Sequence, residues 1–257
     1  MSIKIMIATH RQYQMPEDDI YLPVHVGHAL AKNELGYTGD DTGDNISTKN
    51  PNYCELTALY WGWKNLKDDY IGLAHYRRHF CVKSLDDKFK SIMTTQQALD
   101  LCEKYDIIVP CKRNYYIDTI WKHYMHTHDI SHLEKTKSII EHDYPEFLDA
   151  FDKVMKRTWA HVFNMFLMKR ELADQYCTWL FDILFKLEPE IDLEGLSSFD
   201  ARLFGRVSEL LLDVWLEKNG YQYKEIGFVQ MGDENWTKKI LSFLRAKFLG
   251  TKYSQSR

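Results

Sequence analysis

No stretch of the sequence approaches the ~18 consecutive apolar residues that a membrane-spanning helix needs, so an integral membrane protein is not expected. Cysteine is scarce and has no pairing pattern. Cys54, Cys81, Cys102, Cys111 and Cys177 are odd in number and contain no C-x-x-C, which argues against a disulfide framework and a cysteine-type zinc site. A reducing cytosol suits such residues. The opening MSIKIMIATH lacks a long apolar core and a cleavage site, so it reads as a first strand rather than a secretory leader. Several catalytic signatures are missing as well: the Walker loop, G-x-G-x-x-G, the G-x-S-x-G elbow, the kinase set and H-E-x-x-H. The string D-x-D, a common carboxylate pair for a nucleotide-bound divalent metal, occurs nowhere.

What is present is the composition of a folded protein. Hydrophobic residues make up 45% of the 257 and net charge is only −4, which excludes whole-chain disorder. A chain of this length buries a full core without disulfide staples. Aromatics reach 14%, which suits stacking or sugar-facing surfaces as well as a core. Charge is uneven. Residues 235–257 carry Lys238, Lys239, Arg245, Lys247, Lys252 and Arg257 and no acid, so the tail is +6 and the remainder −10. Trp236, Ile240, Leu241, Phe243, Leu244 and Phe248 recur there at near-helical spacing. A basic amphipathic helix of this kind either lies in an anionic membrane interface or packs on the body with a solvated basic side. The expected organisation is one domain over residues 1–234, with no internal linker, and a basic tail over 235–257. The acidic body argues against nucleic acid as a partner.

Along the chain, strands are expected at 3–8, 69–74, 105–110, 161–168 and 221–229, with an extended or irregular stretch at 21–28. Helices are expected from Asn50-Pro51, read as an N-cap followed by proline, to Asn65, and over 95–104, 169–187 and 198–219. Residues 118–156 read as mainly helical, and Gly220 reads as a C-cap. Residues 36–52 form a long polar loop, a length that is usually functional. Strands alternating with helices predict an α/β fold with a mostly parallel sheet and a helix-rich C-terminal half. Ligands of such sheets sit beyond the carboxyl ends of the strands. That rule selects His10, the loop 40–50 and His75–Arg78.

The strongest local signal is GLAHYRRHF (72–80), which sets two arginines, two histidines and a tyrosine directly after a buried strand. Arginine forks match phosphate oxygens bidentately. GDDTGDNISTKNPNYCEL (39–56) offers glycines for close backbone approach and a helix N-terminus that favours an anion, or it is a surface Ω-loop. His123, His126, His128 and His132 cluster in sequence but fit no zinc template, so they read as structural or substrate-contacting. Arg202, Arg206 and Glu209 follow i, i+4, i+7 and share a helix face near Asp200. An acid there is either a general base or half of a surface ion pair.

The blocks IATH (7–10), YLPVHVG (21–27), GDDTGDNISTKNPNYCELTALYWGWKN (39–65), YIGLAHYRRHF (70–80), FNMFLMKRELADQYCTWLFDIL (163–184) and RLFGRVSELLLDVWL (202–216) occur in this order. Together they resemble a family of bacterial capsular and exopolysaccharide glycosyltransferases long catalogued as a domain of unknown function. The resemblance implies a GT-A-like, Rossmann-type, nucleotide-sugar-binding fold. It also implies transfer of a sugar, galactose or galactofuranose, from a UDP-sugar to a lipid-linked oligosaccharide. YIGLAHYRR takes the place of the usual Asp-x-Asp strand end, so His75, Tyr76, Arg77 and Arg78 are expected on the UDP phosphates with no metal or other cofactor required. His10, Val26, Gly27, Asn45, Ser47 and Asn50 are expected around the donor, and Tyr53 and Glu55 are expected to bind sugar or order the site. Asp200 or Glu209 is expected to act as base on the acceptor hydroxyl, with His126, His128, Asn164 and Arg202 near sugar or acceptor. RLFGRVSELL departs from the family's Arg-x-x-Gly-x-x-x-Glu-Arg-Leu pattern by placing Leu210 after Glu209. The implied location is the cytoplasmic face of the bacterial membrane, reached through the tail. The rival reading is a non-catalytic nucleotide-sugar or carbohydrate-binding protein at that surface.

Overall fold

A computed structural model describes residues 1–232. The basic segment 235–257, and with it the expected membrane contact, lies outside the described residues. The chain begins with β1 (Ile3–Thr9), β2 (Tyr21–His25), a short β3 (Thr38–Gly39), α1 (Asn50–Tyr53) and α2 (Leu56–Asn65). Next come β4 (Tyr70–His75), β5 (Arg78–Cys81), α3 (Thr95–Cys102), β6 (Ile107–Pro110) and β7 (Arg113–Asn114). Helices α4 (Ile120–Thr127), α5 (Ser131–Asp143) and α6 (Leu148–Met155) lead to β8 (Trp159–Ala160) and β9 (Phe166–Lys169). The chain then runs through α7 (Arg170–Leu187), α8 (Leu203–Asn219) and β10 (Lys224–Gln230).

The parallel part of the sheet is its N-terminal half, where β1 lies between β2 and β4 and β3 extends β2. Beyond β4 the sheet becomes mixed. β9 runs antiparallel to both β4 and β6, β10 is parallel to β6, and β5 is antiparallel to β10. The expectation of a mostly parallel sheet is therefore corrected to a mixed one. One reversal arises because β4 turns into β5 through only Tyr76-Arg77, with His75 paired to Arg78, and a two-residue link cannot make a parallel crossover; the other is β9, which enters antiparallel between β4 and β6.

Alternation along the strands explains the two buried faces. On β1, Met6 and Ala8 join the larger core while Ile5 and Ile7 join the smaller; on β6, Ile107 and Val109 face one way and Ile108 the other. The larger core is covered by α2 and α5 to α8, and the smaller by Ile20, Tyr21, Ile92, Met93 and α3. A reciprocal capping box of Thr94 and Gln97 starts α3, and Gly220 ends α8 with φ of 63°.

Other expectations shift in detail. The strand expected at 161–168 starts only at Phe166, because Phe163 (φ 75°) and Asn164 (φ 53°) turn the chain through the left-handed region. The long polar loop contains β3 and a 3-10 turn at Ser47–Lys49. That turn makes Lys49, not Asn50, the residue preceding α1, and the Asn50 amide instead donates to Cys54 O at 2.8 Å. Strands β5, β7 and β8 were not anticipated.

Gly72 sits in β4 between β1 and β9, where a Cβ would stand 2.6 Å from the carbonyl oxygen of Phe166. A backbone oxygen inside a sheet cannot swing away as a side chain can. Gly72→Ala should destabilise the chain by about 1–3 kcal/mol in urea unfolding.

Candidate active site

The carboxyl ends of β1, β2 and β4 converge on one edge of the parallel half-sheet. Tyr76, buried just past β4, is the hub. His10 meets its ring edge-on at 5.4 Å and Tyr13 at 5.2 Å, while the guanidinium groups of Arg77 and Arg11 lie 5.1 and 5.7 Å from the ring centre. Burial lowers the His10 pKa, and the charges of Arg11, Arg202, Arg77 and His25 lower it further. Four cationic or imidazole groups from separate segments thus surround His10. Arg77 Nε is buried and has no hydrogen-bond partner among the described residues. Such a concentration of donors suits an oxyanion, since guanidinium forks bind phosphate bidentately.

Beside this cationic zone lies an acidic one. Glu55 enters from the junction of α1 and α2, where Cys54 adopts φ of 54°. Asn164 donates to Glu55 Oε1 at 2.7 Å and to Gly205 O at 2.9 Å, and accepts from Ser208 Oγ at 2.7 Å. His75 Nε2 lies 2.5 Å from the carbonyl of Phe163, so this nitrogen carries the proton, because a carbonyl oxygen only accepts. Burial lowers the His75 pKa, against the pull of Glu55. Arg78 stacks over Phe163 at 4.1 Å.

Glu209 completes the zone from α8. Burial and the negative charge of Glu55 push its pKa up to about 7, opposed by the Phe163 backbone N–H and by Arg78 and Arg113. Arg202 joins the two zones. It donates to Cys54 Sγ at 3.2 Å, lowers His10, and interacts with both Glu55 and Glu209.

The structure therefore brings together His10, Glu55, His75, Tyr76, Arg77, Arg78, Asn164, Arg202 and Glu209. Val26 and Gly27 follow β2 on the same edge, and Asn50 packs so close that a Cβ on Gly27 would stand 2.8 Å from its side chain. Other expected residues sit elsewhere. Ser47 is fully buried and its hydroxyl bonds to Asp40. Asn45 closes its own turn, donating to Gly43 O and accepting from Ser47 N. Tyr53 is a core residue stacked on Phe204 at 4.6 Å, with its hydroxyl on Leu184 O and Glu188. Asp200 accepts from Ser197 Oγ at 2.7 Å in a local turn. His126 pairs with Asp118, whereas His128 packs edge-on to Tyr124 and tilted to Phe199. Burial, with the charge of Arg206, pulls the His128 pKa down to about 3.

Phe163 and Arg11 are not among the expected site residues, and Asp40, inside the selected loop 40–50, has no expected role of its own. Asp40 is fully buried and receives the backbone N–H groups of Gly27 at 2.9 Å and His28 at 3.0 Å, so it shapes the turn after β2. The Asp40-Asp41 pair in a glycine-rich loop is visible in the sequence, but the burial of Asp40 is not. Among the described residues, a group able to hold a metal is His25, His28 and Glu34, not the histidines of α4 and α5. Hydrogen bonds from His28 to Glu34 and Asp41 push its pKa up to about 9.

Residues 4–220 match the model of a family described as a domain of unknown function (DUF4422). Among solved structures, the chain is similar to the apo form of the WbbM bifunctional glycosyltransferase, with 31% identity and a TM-score of 0.85 over 91% of the chain. The chain spans 46% of that protein's length. No curated protein sequence matches. No helix among the described residues is long and apolar enough to cross a membrane.

Two outcomes test the site's construction. Asn164→Ala strips Glu55 and Ser208 of a buried partner and should cost about 1–3 kcal/mol in urea unfolding. Glu209 keeps its proton to about 7 in the folded chain, against an ordinary 4.5. The folded state therefore binds more protons between those values, and stability falls as pH rises through them. Comparing unfolding curves of wild type and Glu209→Gln across this interval should show that decline in the wild type and its loss in the variant.

Proposed function

The chain belongs to the DUF4422 family, and from that membership we propose that it is a glycosyltransferase moving a sugar from a nucleotide-diphosphate donor to a glycan hydroxyl. The observation that carries this reading is the pairing of the two zones. Arg11, Arg77 and Arg202 gather at the strand ends, and Arg202 links them to Glu209, a carboxyl group tuned to about 7. The likeness to a bifunctional glycosyltransferase supports the same class.

The chemistry follows from the charges. As the acceptor oxygen bonds to the anomeric carbon, the bond from that carbon to the diphosphate oxygen breaks. The electron pair leaves on the nucleoside diphosphate, where Arg77, with Arg202 and Arg78, offsets the new charge; fixed donors need no reorganisation to do so. Glu209 takes the acceptor proton. A base with a pKa near neutrality is well matched to this task, because about half of it is ionised at pH 7 and each ionised carboxylate holds an incoming proton strongly. His75, fixed by Phe163 O, and Glu55, fixed by Asn164, hold the sugar between the zones. The donor is a UDP-sugar carrying galactose or galactofuranose, bound without a divalent metal or other cofactor. The acceptor is a lipid-linked glycan of capsular or exopolysaccharide synthesis. The basic segment 235–257 would bring the enzyme to the cytoplasmic membrane face that presents it.

Calorimetry with a panel of UDP-sugars, with and without EDTA, tests the donor. One should bind in the micromolar range regardless of EDTA, at least tenfold more weakly in Arg77→Ala. Glu209→Gln should retain donor binding while turnover falls by about 10²–10⁴. The wild-type rate should rise with pH up to about 7 and then level as Glu209 ionises. Binding without turnover on any glycan acceptor would leave a sugar-nucleotide-binding protein. No binding of any nucleotide sugar would overturn the reading.

A further inference from the structure

The segment that follows β2 carries a group of side chains that the transfer chemistry does not use. His25 ends the strand, Gly27 turns the chain through φ of 67°, and His28 opens a 3-10 turn. The turn brings the two imidazoles together with ring centres 5.0 Å apart and planes at 71°. Glu34 returns to the same point, and one ligand atom from each of His25, His28 and Glu34 lies within 4.8 Å of the others.

We propose that His25, His28 and Glu34 form a binding site for one divalent transition ion of the zinc class. This inference does not depend on the glycosyltransferase reading.

Three features support it. First, the two nitrogens of His28 have separate partners. Nε2 lies 3.0 Å from Glu34 Oε2 and Nδ1 lies 2.8 Å from Asp41 Oδ2. Metal-bound histidines characteristically give their second nitrogen's proton to a carboxylate, which fixes the ring and raises its basicity. Asp41 stands in that position, leaving Nε2 to face Glu34 and the ion. Second, His25 is only 4% exposed, and its Nδ1 has no hydrogen-bond partner among the described residues. A buried imidazole seldom leaves a nitrogen unmet unless something else satisfies it. Third, the cradle is close-built. A Cβ on Gly39 would stand 2.6 Å from His28 Nδ1 and 2.5 Å from Asp41 Oδ1, so glycine lets β3 support the pair directly.

The donor set selects the ion. Two imidazoles and one carboxylate suit zinc, cobalt or nickel rather than calcium or magnesium, which prefer oxygen ligands. Ligand atoms around a tetrahedral zinc with bonds of ~2.0–2.1 Å are about 3.3–3.4 Å apart. The His28–Glu34 separation of 3.0 Å is close to that value, and the His25 ligand atom lies within 4.8 Å of both, so binding would draw it inward. The bound ion would clamp the β2–β3 connection beside the donor crevice. With no ion, His28 would remain an ordinary ion pair between two carboxylates.

The test uses the full chain freed of any histidine tag and stripped of metal. Zinc titration by calorimetry should show one ion per chain. Cobalt should give the visible absorption of a low-symmetry site, and zinc should raise the melting temperature. His28→Gln and Glu34→Gln should each weaken zinc binding at least tenfold and abolish the thermal shift. Glu34 is 79% exposed, so its variant keeps the fold and isolates the ligand role. Absence of saturable binding, or full binding in both variants through other histidines such as those of α4, would overturn the proposal.

Discussion

The corner at Phe163-Asn164 is the constraint on which the candidate site depends. Both residues are held in the left-handed region just before β9. Asparagine tolerates that conformation, whereas phenylalanine does so at a cost of about 1–2 kcal/mol. The surroundings make it the stable state. Phe163 gives its carbonyl to His75 and its N–H to Glu209. Asn164 reaches Glu55, Gly205 and Ser208 at once. One bend in the chain thereby joins the end of β4, the junction of α1 and α2, and the first turns of α8. Straightening it into the longer strand suggested by the sequence would detach all three.

The electrostatic layout follows from that join. The parallel strands β1, β2 and β4 end together, so the polar residues that follow them share one edge, and these residues are mainly cationic. The start of α8 approaches the same edge with Arg202, at its N-terminal boundary, outward and Glu209 inward. Crowding of Glu209 against Glu55 in an enclosed position makes its ionised form expensive, whereas Arg202, reaching from Cys54 toward His10, keeps the positive field close. Cationic and acidic side chains, joined through Arg202, are thus set side by side at one edge of the sheet. The β2 turn at its margin is organised differently, around buried Asp40, which accepts two backbone N–H groups and the Ser47 hydroxyl.

Part of this was legible in local pattern. The rule that ligands sit at carboxyl ends of strands selects His10 and His75 to Arg78, and the structure does gather them at one edge, because a buried strand announces itself by its apolar run and polar residues beyond it have one place to go. The i, i+4, i+7 spacing places Arg202, Arg206 and Glu209 on one helix face; in the structure Arg206 and Glu209 lie on α8, and Arg202 ends the 3-10 turn just before it. The same approach does not foresee that Ser47 and Asn45 bond within their own loop and that Tyr53 lies in the core. A glycine- and aspartate-rich loop has the composition of a ligand loop whether its side chains point outward or bind one another. Tyr53 follows a helix-start signal equally well as a sugar contact or as a core residue stacked on Phe204. Nothing in the residue type tells these apart.

The sequence by itself determined the α/β class, most element positions and the helix end at Gly220, because each depends on interactions within a few residues: periodic burial, propensity and capping. The tertiary structure alone decided the mixed strand pairing, since that depends on which distant edges meet after a two-residue turn. It also decided that Glu209 rather than Asp200 is enclosed beside Glu55, with a pKa near 7, and that His25 and His28 face Glu34. Proton affinity and coordination are set by burial and by neighbouring charge at a few ångströms, quantities that exist only once separate segments have been brought together.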